Sequence, residues 1–368
     1  MYPNKSLKIL SVLSLALSSM SVYATPPEAT VANNHYFLVS VPNLRPGIEV
    51  SGGAVWLKPG ASNLNYVIYN KELPAQSPSW TEREIGPSFS AGFELGARYS
   101  FPHSAAKDIA LNWTHLRTSD SSTTTAPNTS FFLGPDYEIG PLGLVIRNAT
   151  GKAKFDYDVV NLDVGQYISF CDQVQLRFFG GLSAGFLRED VASTYTGTRT
   201  SGLFAGPFST SQDVYSNFTG VGPRAGIHAD FNAGYGFGFL GEAAVSALIG
   251  SLYTRSDFTS SAVELLDIYG QTINKQTIND QRVYQVIPGL DTKLGIQYKY
   301  AFSNCILFTA KAGYQAAVYA NAISQYLPGT LVAGEGIETG GIFVATMSHK
   351  LSNYSVQGPF LNFSLLFS

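Results

Sequence analysis

At 368 residues the chain is long enough for two ordinary domains or for one all-β barrel, and its two cysteines exclude a disulfide scaffold or a cysteine-based metal cage. Charged residues are only 13%, about half of ordinary usage, whereas Tyr and Phe together number 45 and Gly 36. A formal charge of −3 with no Lys/Arg run excludes a nucleic-acid binder.

The N-terminus reads as an export signal. Lys5 and Lys8 make a short basic region, Ile9 to Leu17 is largely apolar, and Val22-Tyr23-Ala24 offers small residues at a cleavage site. Residues 1–24 are therefore expected to be removed, leaving Thr25 first and 21 basic against 26 acidic residues. Residues 25–46 are expected to form an N-terminal periplasmic segment, and 47–368 the folded body. No mature stretch is long and apolar enough for a spanning helix, which needs about 20 residues.

From there the dominant signal is a period of two. In Phe89–Tyr99, Phe89, Ala91, Phe93, Leu95, Ala97 and Tyr99 share one face, and Ser90, Gly92, Glu94, Gly96 and Arg98 the other. Eleven residues is the length of a tilted bilayer-crossing strand. The pattern recurs at Val174–Phe186, Val221–Phe231, Leu290–Tyr300 and Ile306–Tyr314. It ends on Leu361, Phe363, Leu365 and Phe367, alternating with Asn362, Ser364 and Ser368. Ten strands are expected at 47–57, 89–101, 107–117, 154–169, 173–187, 217–232, 236–252, 284–301, 305–319 and 354–367. The expected fold is all-β: an antiparallel up-and-down transmembrane β-barrel of about ten strands (eight to twelve), with its apolar face on lipid.

The gaps alternate in length. Short turns fall at Pro102–Ala106, Phe170–Asp172, Ala233–Tyr235 and Phe302–Asn304; long gaps follow the other strands. Short periplasmic turns and long external loops are the layout of a bacterial outer-membrane barrel. Ser119–Thr125 and Ser193–Gln212 read as loops, with extra hairpins expected within Asn63–Tyr69 and Gly341–His349. Gly86-Pro87, Gly222-Pro223, Pro288-Gly289 and Gly358-Pro359 suggest bulges near the outer rim. Tyr99, Phe101, Phe170, Tyr235, Phe237, Tyr298, Tyr300 and Phe302 gather beside the short turns, as a headgroup-level girdle would.

The lumen face carries the candidate functional residues. Arg98, Arg177, Arg224, Lys293, Lys299 and Lys311 stand against Glu94, Asp163, Asp230, Glu242 and Asp291, with His228 among them. Balanced charge in a narrow lumen either pairs into a plug or lines a small wet pore. Catalysis has little support: His115 and Asp120 lie near one strand end without the second acid pair of a barrel protease, and His228 shares its face with Arg224 and Asp230. No catalytic residue, metal or cofactor is expected. The five histidines, at 35, 103, 115, 228 and 349, show no ligand spacing.

Asp108–Leu116 (DIALNWTHL), Tyr157–Leu162, Arg177–Leu182, Gly220–Gly226 (GVGPRAG), Ala312–Gln315 and Gln357–Phe360 resemble, in that order, the Legionella-type major outer membrane protein family. The resemblance implies a porin-like surface protein in the cell outer membrane of Gram-negative bacteria, in a family some of whose members are disulfide-linked oligomers. The leading expectation is then passive diffusion of small hydrophilic solutes or ions. The alternative is a non-conducting structural or adhesive barrel that works through its external loops. Expected partners are outer-membrane lipid and lipopolysaccharide, the assembly machinery through the C-terminal strand, a homo-oligomer and a host-surface ligand. Cys171 and Cys305 sit at short turns after strands four and eight, nearly opposite on a ten-stranded ring. That is too far apart to bridge within one barrel unless the turns fold inward; interchain pairing is the functional reading, and two isolated thiols the alternative.

Overall fold

The computed structural model describes residues 46–71, 79–102, 106–127, 131–136, 144–171, 173–199, 206–261, 265–266, 272–273, 275–279, 282–302, 305–328, 331–333, 342–344 and 347–368, all within the unit Leu38–Ser368. The expected signal peptide at 1–24, all but the last residue of the segment 25–46, and His35 and His103 lie outside the described residues.

Among the described residues ten long strands form a ring: β1 (Gly47–Ala61), β2 (Ser90–Ser100), β3 (Lys107–Thr125), β4 (Leu144–Ser169), β5 (Val174–Arg199), β6 (Gly206–Gly234), β7 (Phe237–Ser260), β8 (Val283–Ala301), β9 (Ile306–Pro328) and β10 (Met347–Phe367). Each pairs antiparallel with its sequence neighbours, and β10 returns to β1 with Phe367 opposite Ile48, so no edge is left open. The turns at one end are short. Between β6 and β7, Tyr235 and Gly236 both take positive φ, 53° and 86°, the requirement of a type I′ hairpin turn, and Tyr235 projects fully into its surroundings.

The inner half of the wall follows the expected alternation. Leu95, Leu111, Leu182, Val221, Leu294 and Phe363 stand exposed on the outside, and Glu94, Arg177, Arg224 and Asp291 turn inward. So much bare apolar surface is stable only against hydrocarbon. Next to the short turns the girdle rings touch, Tyr99 on Phe101 and Tyr300 on Phe302, both with centroids 5.1 Å apart.

Further out the alternation keeps its period but reverses its polarity, so the stretches expected to be loops are largely strand. β3 runs on to Thr125, β5 to Arg199, and β6 starts at Gly206. β4 shows the reversal best. Its inner part points Leu162 and Val164 outward, 41% and 55% exposed, and buries Asp163. Its outer part exposes Lys152 and Lys154 and buries Ala153, Phe155, Tyr157 and Val159 inside the ring. Beyond the membrane the wall meets water on the outside, so the apolar residues move to the inside and build a soluble-type core.

Three of the four Gly/Pro pairs are not at the outer rim; Gly86-Pro87 alone lies in a connection, just before β2. Gly222-Pro223, Pro288-Gly289 and Gly358-Pro359 lie inside β6, β8 and β10. The β1–β10 and β6–β7 ladders each skip residues there, because proline has no N–H to donate. A Cβ at Gly222 or Gly358 would strike the carbonyl of Ala247 or Trp56, so the neighbouring strand approaches too closely for any side chain. β9 holds a further irregularity. Its register with β10 shifts between Tyr319 and Ile323, Asn321 takes φ 58°, and Ala322, Ile323, Ser324 and Gln325 are all buried. This bulge presses the outer end of β9 into the ring.

The hairpin expected within Asn63–Tyr69 is larger than that stretch: Asn65–Lys71 is one arm, its partner is Ser79–Glu84, and Phe131–Pro135 pairs on its other side. Leu64, Tyr66 and Ile85 of this connection are buried in the core. In the Gly341–His349 region, Ile342–Val344 pairs with Leu331–Ala333.

Candidate functional site: the barrel interior

Two layers fill the interior. The inner one is polar and surrounds a cavity of about 120 Å³, room for several waters. Glu94, Arg98, Asp163, Arg177, Arg224, His228, Glu242, Asp291, Lys293 and Lys311 line it. Asp230 joins through His228 and Gln297, whose Nε2 donates to it at 2.7 Å. Lys299 is exposed toward the short-turn end.

The charges pair across strands. Arg98 lies 3.2 Å from Glu49 and 3.3 Å from Asp108, and donates to the Tyr167 hydroxyl at 3.1 Å. Arg177 grips Asp108 through Nε and Nη2 at 2.8–3.0 Å, the fork geometry that lysine cannot supply. Arg224 meets three acids, with Asp163 nearest, Glu242 at 3.3 Å and Asp291 at 3.8 Å. The Phe179 ring lies 4.9 Å from the Arg177 guanidinium and 4.8 Å from that of Arg224. His228 bridges Glu242 and Asp230 at 3.2 and 3.4 Å, and Lys293 holds Glu94 at 2.7 Å.

Sequence reasoning missed Glu49 and Asp108. Asp108 is fully buried and shared by two arginines. The signal was present, since Asp108, Ala110, Asn112 and Thr114 form the small polar face of β3. Among the described residues, Asp163 Oδ1, Asn161 Oδ1 and Gln315 Oε1 have no protein partner, so these acceptors need the water that the cavity admits.

Above the polar chamber lies an aromatic layer. Tyr157 on β4, Tyr319 on β9 and Tyr354 on β10 are buried. Tyr157 and Tyr319 bring their hydroxyls within 3.3 Å, and β4 and β9 stand on opposite sides of the ten-stranded ring. Tyr157 stacks on Tyr354 at 6.2 Å and 16°, and the Tyr354 hydroxyl donates to the Asp156 carbonyl at 3.1 Å. Phe155, Phe218, Leu187 and Leu248 complete the layer.

Higher still, Asn63 Nδ2 donates to Glu189 at 2.8 Å and to Gln325 at 3.0 Å, and Gln212 on β6 reaches the Tyr326 carbonyl on β9 at 3.0 Å. Glu189 stands just above the last exposed apolar residue of β5, Phe186, and beside Arg188, so it lies outside the bilayer. Burial pushes its carboxyl up to about 7, against the Asn63 hydrogen bond.

The described histidines, His115, His228 and His349, stand in separate pairings. His115 pairs with Asp158 at 2.7 Å on the outer wall, not with Asp120, which accepts from Ser88 and Thr118 within a paired strand. Ser324 Oγ lies 2.8 Å from His349 Nε2, but that hydroxyl is buried. Among the described residues no three His, Cys, Asp or Glu side chains converge on a metal position. Cys171 and Cys305 are exposed beside the short turns after β4 and β8 and form no disulfide with one another.

The family model of the Legionella pneumophila major outer membrane protein precursor matches residues 40–367. No curated protein matches the chain. Among solved structures, it is similar to the outer membrane protease OmpT from Escherichia coli at 9% identity, covering 89% of this chain and 99% of that one, with a TM-score of 0.38. It is also similar to a Pseudomonas aeruginosa FadL homologue at 10% identity, covering 87% and 90%, with a TM-score of 0.26. The CymD monoaromatic hydrocarbon channel matches at 10% identity, covering 88% and 89%, with a TM-score of 0.31.

Proposed function

Because the chain belongs to the Legionella pneumophila major outer membrane protein family, and is thus an outer-membrane β-barrel, we propose that it is a non-conducting member that works through the folded ring it raises above the bilayer. The observation that carries this reading is the meeting of Tyr157 and Tyr319 from opposite walls, with no space between them. A bilayer crossing uses about 11 residues, yet β4, β5 and β6 have 26, 26 and 29. The surplus corresponds to roughly 35–40 Å of wall height beyond the membrane at a tilt of about 45°. That wall is polar outside and apolar inside, the construction of a surface meant to be touched rather than a channel meant to be crossed.

Passive diffusion keeps one observation in its favour, the wet polar chamber of the inner half. It requires the tyrosine layer to part. Planar-bilayer recording on the refolded full chain tests both readings. Our reading expects no discrete steps from the wild type, and measurable conductance once Tyr157, Tyr319 and Tyr354 are all replaced by Ala. Reproducible ohmic channels from the wild type would overturn it and restore the porin reading.

A further inference from the structure

The outer wall changes character abruptly above the apolar belt on β3, β4 and β5. His115, Asp158 and Phe186 form one cross-strand row at the top of the belt. Trp113 lies just beneath and donates its indole N–H to Asp158 at 3.1 Å. An amphipathic ring of this kind marks the level where hydrocarbon gives way to headgroups. The next row outward is Arg117–Asp156–Arg188, followed by Ser119–Lys154–Asp190 and Ser121–Lys152–Ala192. All these positions face away from the barrel. Neighbouring strands are about 4.8 Å apart and alternate residues about 6.6 Å apart, so four cations and two carboxylates share a patch of roughly 10 by 13 Å.

The carboxylates do not neutralise it. Arg117 binds Asp156 through Nε at 2.7 Å, yet its side chain is 74% exposed, which leaves the outer guanidinium donors turned to the surroundings. Arg188 reaches Asp190 at 3.2 Å and Asp156 at 3.8 Å, is 43% exposed, and rests 4.7 Å over the Tyr215 ring. Lys152 and Lys154 are exposed and, among the described residues, have no ion-pair partner within 4 Å. The acids therefore orient the two arginines and leave a net charge of +2. On the other side of the barrel, the outward positions that follow the belt on β9 and β10 are Val318, Ser355 and Gln357, without charge.

We propose that Arg117, Lys152, Lys154 and Arg188 form a binding site for the phosphate groups of a phosphorylated glycolipid in the outer leaflet. Several features select that ligand. The patch begins where the apolar belt ends, so an occupant anchored by acyl chains on the belt brings its headgroup to these rows. Arginine held flat by an acid on one edge presents its free edge to a phosphate. The lysines supply unpaired charge at two further heights, which suits a headgroup carrying more than one phosphate and polar sugar between them. The site holds whether or not the lumen conducts.

The test is retention of lipid by the full chain purified in neutral detergent, measured by native mass spectrometry after titration with a bisphosphorylated glycolipid, its dephosphorylated form, phosphatidylglycerol and inorganic phosphate. Each charged contact near a lipid surface is worth roughly a fivefold change in affinity. Lys152→Gln with Lys154→Gln, and separately Arg117→Gln with Arg188→Gln, are expected to weaken bisphosphorylated glycolipid binding about 25-fold, with weaker binding at high salt. Lys58→Gln on β1 is expected to leave it unchanged. These residues are on the surface, so unchanged heat-modifiable mobility on gels shows that the variants fold. Equal retention by the charge variants, an equal loss in Lys58→Gln, or equal binding of the dephosphorylated lipid or of phosphatidylglycerol would overturn the assignment. So would displacement by millimolar inorganic phosphate, which would make this a free-phosphate site.

Discussion

Glu189 offers the sharpest test of the outer core. Its side chain is almost wholly inside the ring, and among the described residues its one hydrogen-bond donor is Asn63 and Oε1 has no partner. Burial raises its pKa from the usual 4.5 to about 7, with the Asp190 charge adding to the rise and the Asn63 bond opposing it. An acid whose folded pKa lies above its unfolded value binds its proton more tightly when folded. Its contribution to stability is therefore most favourable below about pH 4.5, falls as pH rises through 4.5 to 7, and levels off above. The full shift corresponds to about 3 kcal/mol at alkaline pH. Glu189→Gln keeps an acceptor for Asn63 and removes the charge. It is expected to raise the stability of the vesicle-refolded barrel by roughly 1–3 kcal/mol at about pH 8, and to change it by under about 0.5 kcal/mol at about pH 4.5. Urea unfolding followed by tryptophan fluorescence at both pH values reads the difference. A variant no more stable than wild type at the higher pH, or shifted equally at both, would refute the burial argument.

Other substitutions probe the remaining layers. Arg224→Leu strands Asp163 and Asp291 in the polar chamber and is expected to cost about 3–5 kcal/mol in the same unfolding assay, with part recovered by adding Asp163→Asn. Tyr354→Ala removes a fully buried ring and its bond to the Asp156 carbonyl, with an expected loss of about 3–5 kcal/mol; a loss under about 1 kcal/mol would mean the outer core is not packed as described. Gly358→Val, at the close approach to Trp56, is expected to block refolding or to lower stability by more than about 2 kcal/mol, read by heat-modifiable gel mobility. Non-reducing gels of intact envelopes are expected to show reducible oligomers that vanish in the Cys171→Ser, Cys305→Ser double variant; monomer alone in the wild type would reject interchain bridging.

Which face each side chain takes in the inner half of the barrel was largely legible, though Glu49 and Asp108 escaped it, because side chains on a strand alternate strictly and the two sides of a membrane wall meet opposite solvents. Leu95 against Glu94, Leu294 against Lys293, and Val221 against Arg224 can each be sorted by chemistry alone. The short turns and the closing of the ring followed from the same regularity, whereas the family was read from the resemblance of particular segments such as Asp108–Leu116 and Gly220–Gly226. The outer half was not legible, because Ser119, Ser121 and Thr123 look the same in a loop as on the wet face of a strand. Period two states that faces alternate but not which one meets water, and that depends on height above the bilayer, which only the assembled ring defines. Ring closure likewise decided that Tyr157 meets Tyr319 across 162 positions of sequence, that Asp108 serves two arginines, and that Lys152 and Arg188 share one patch. Those contacts come from strand register around a closed circle, a constraint carried by all ten strands together.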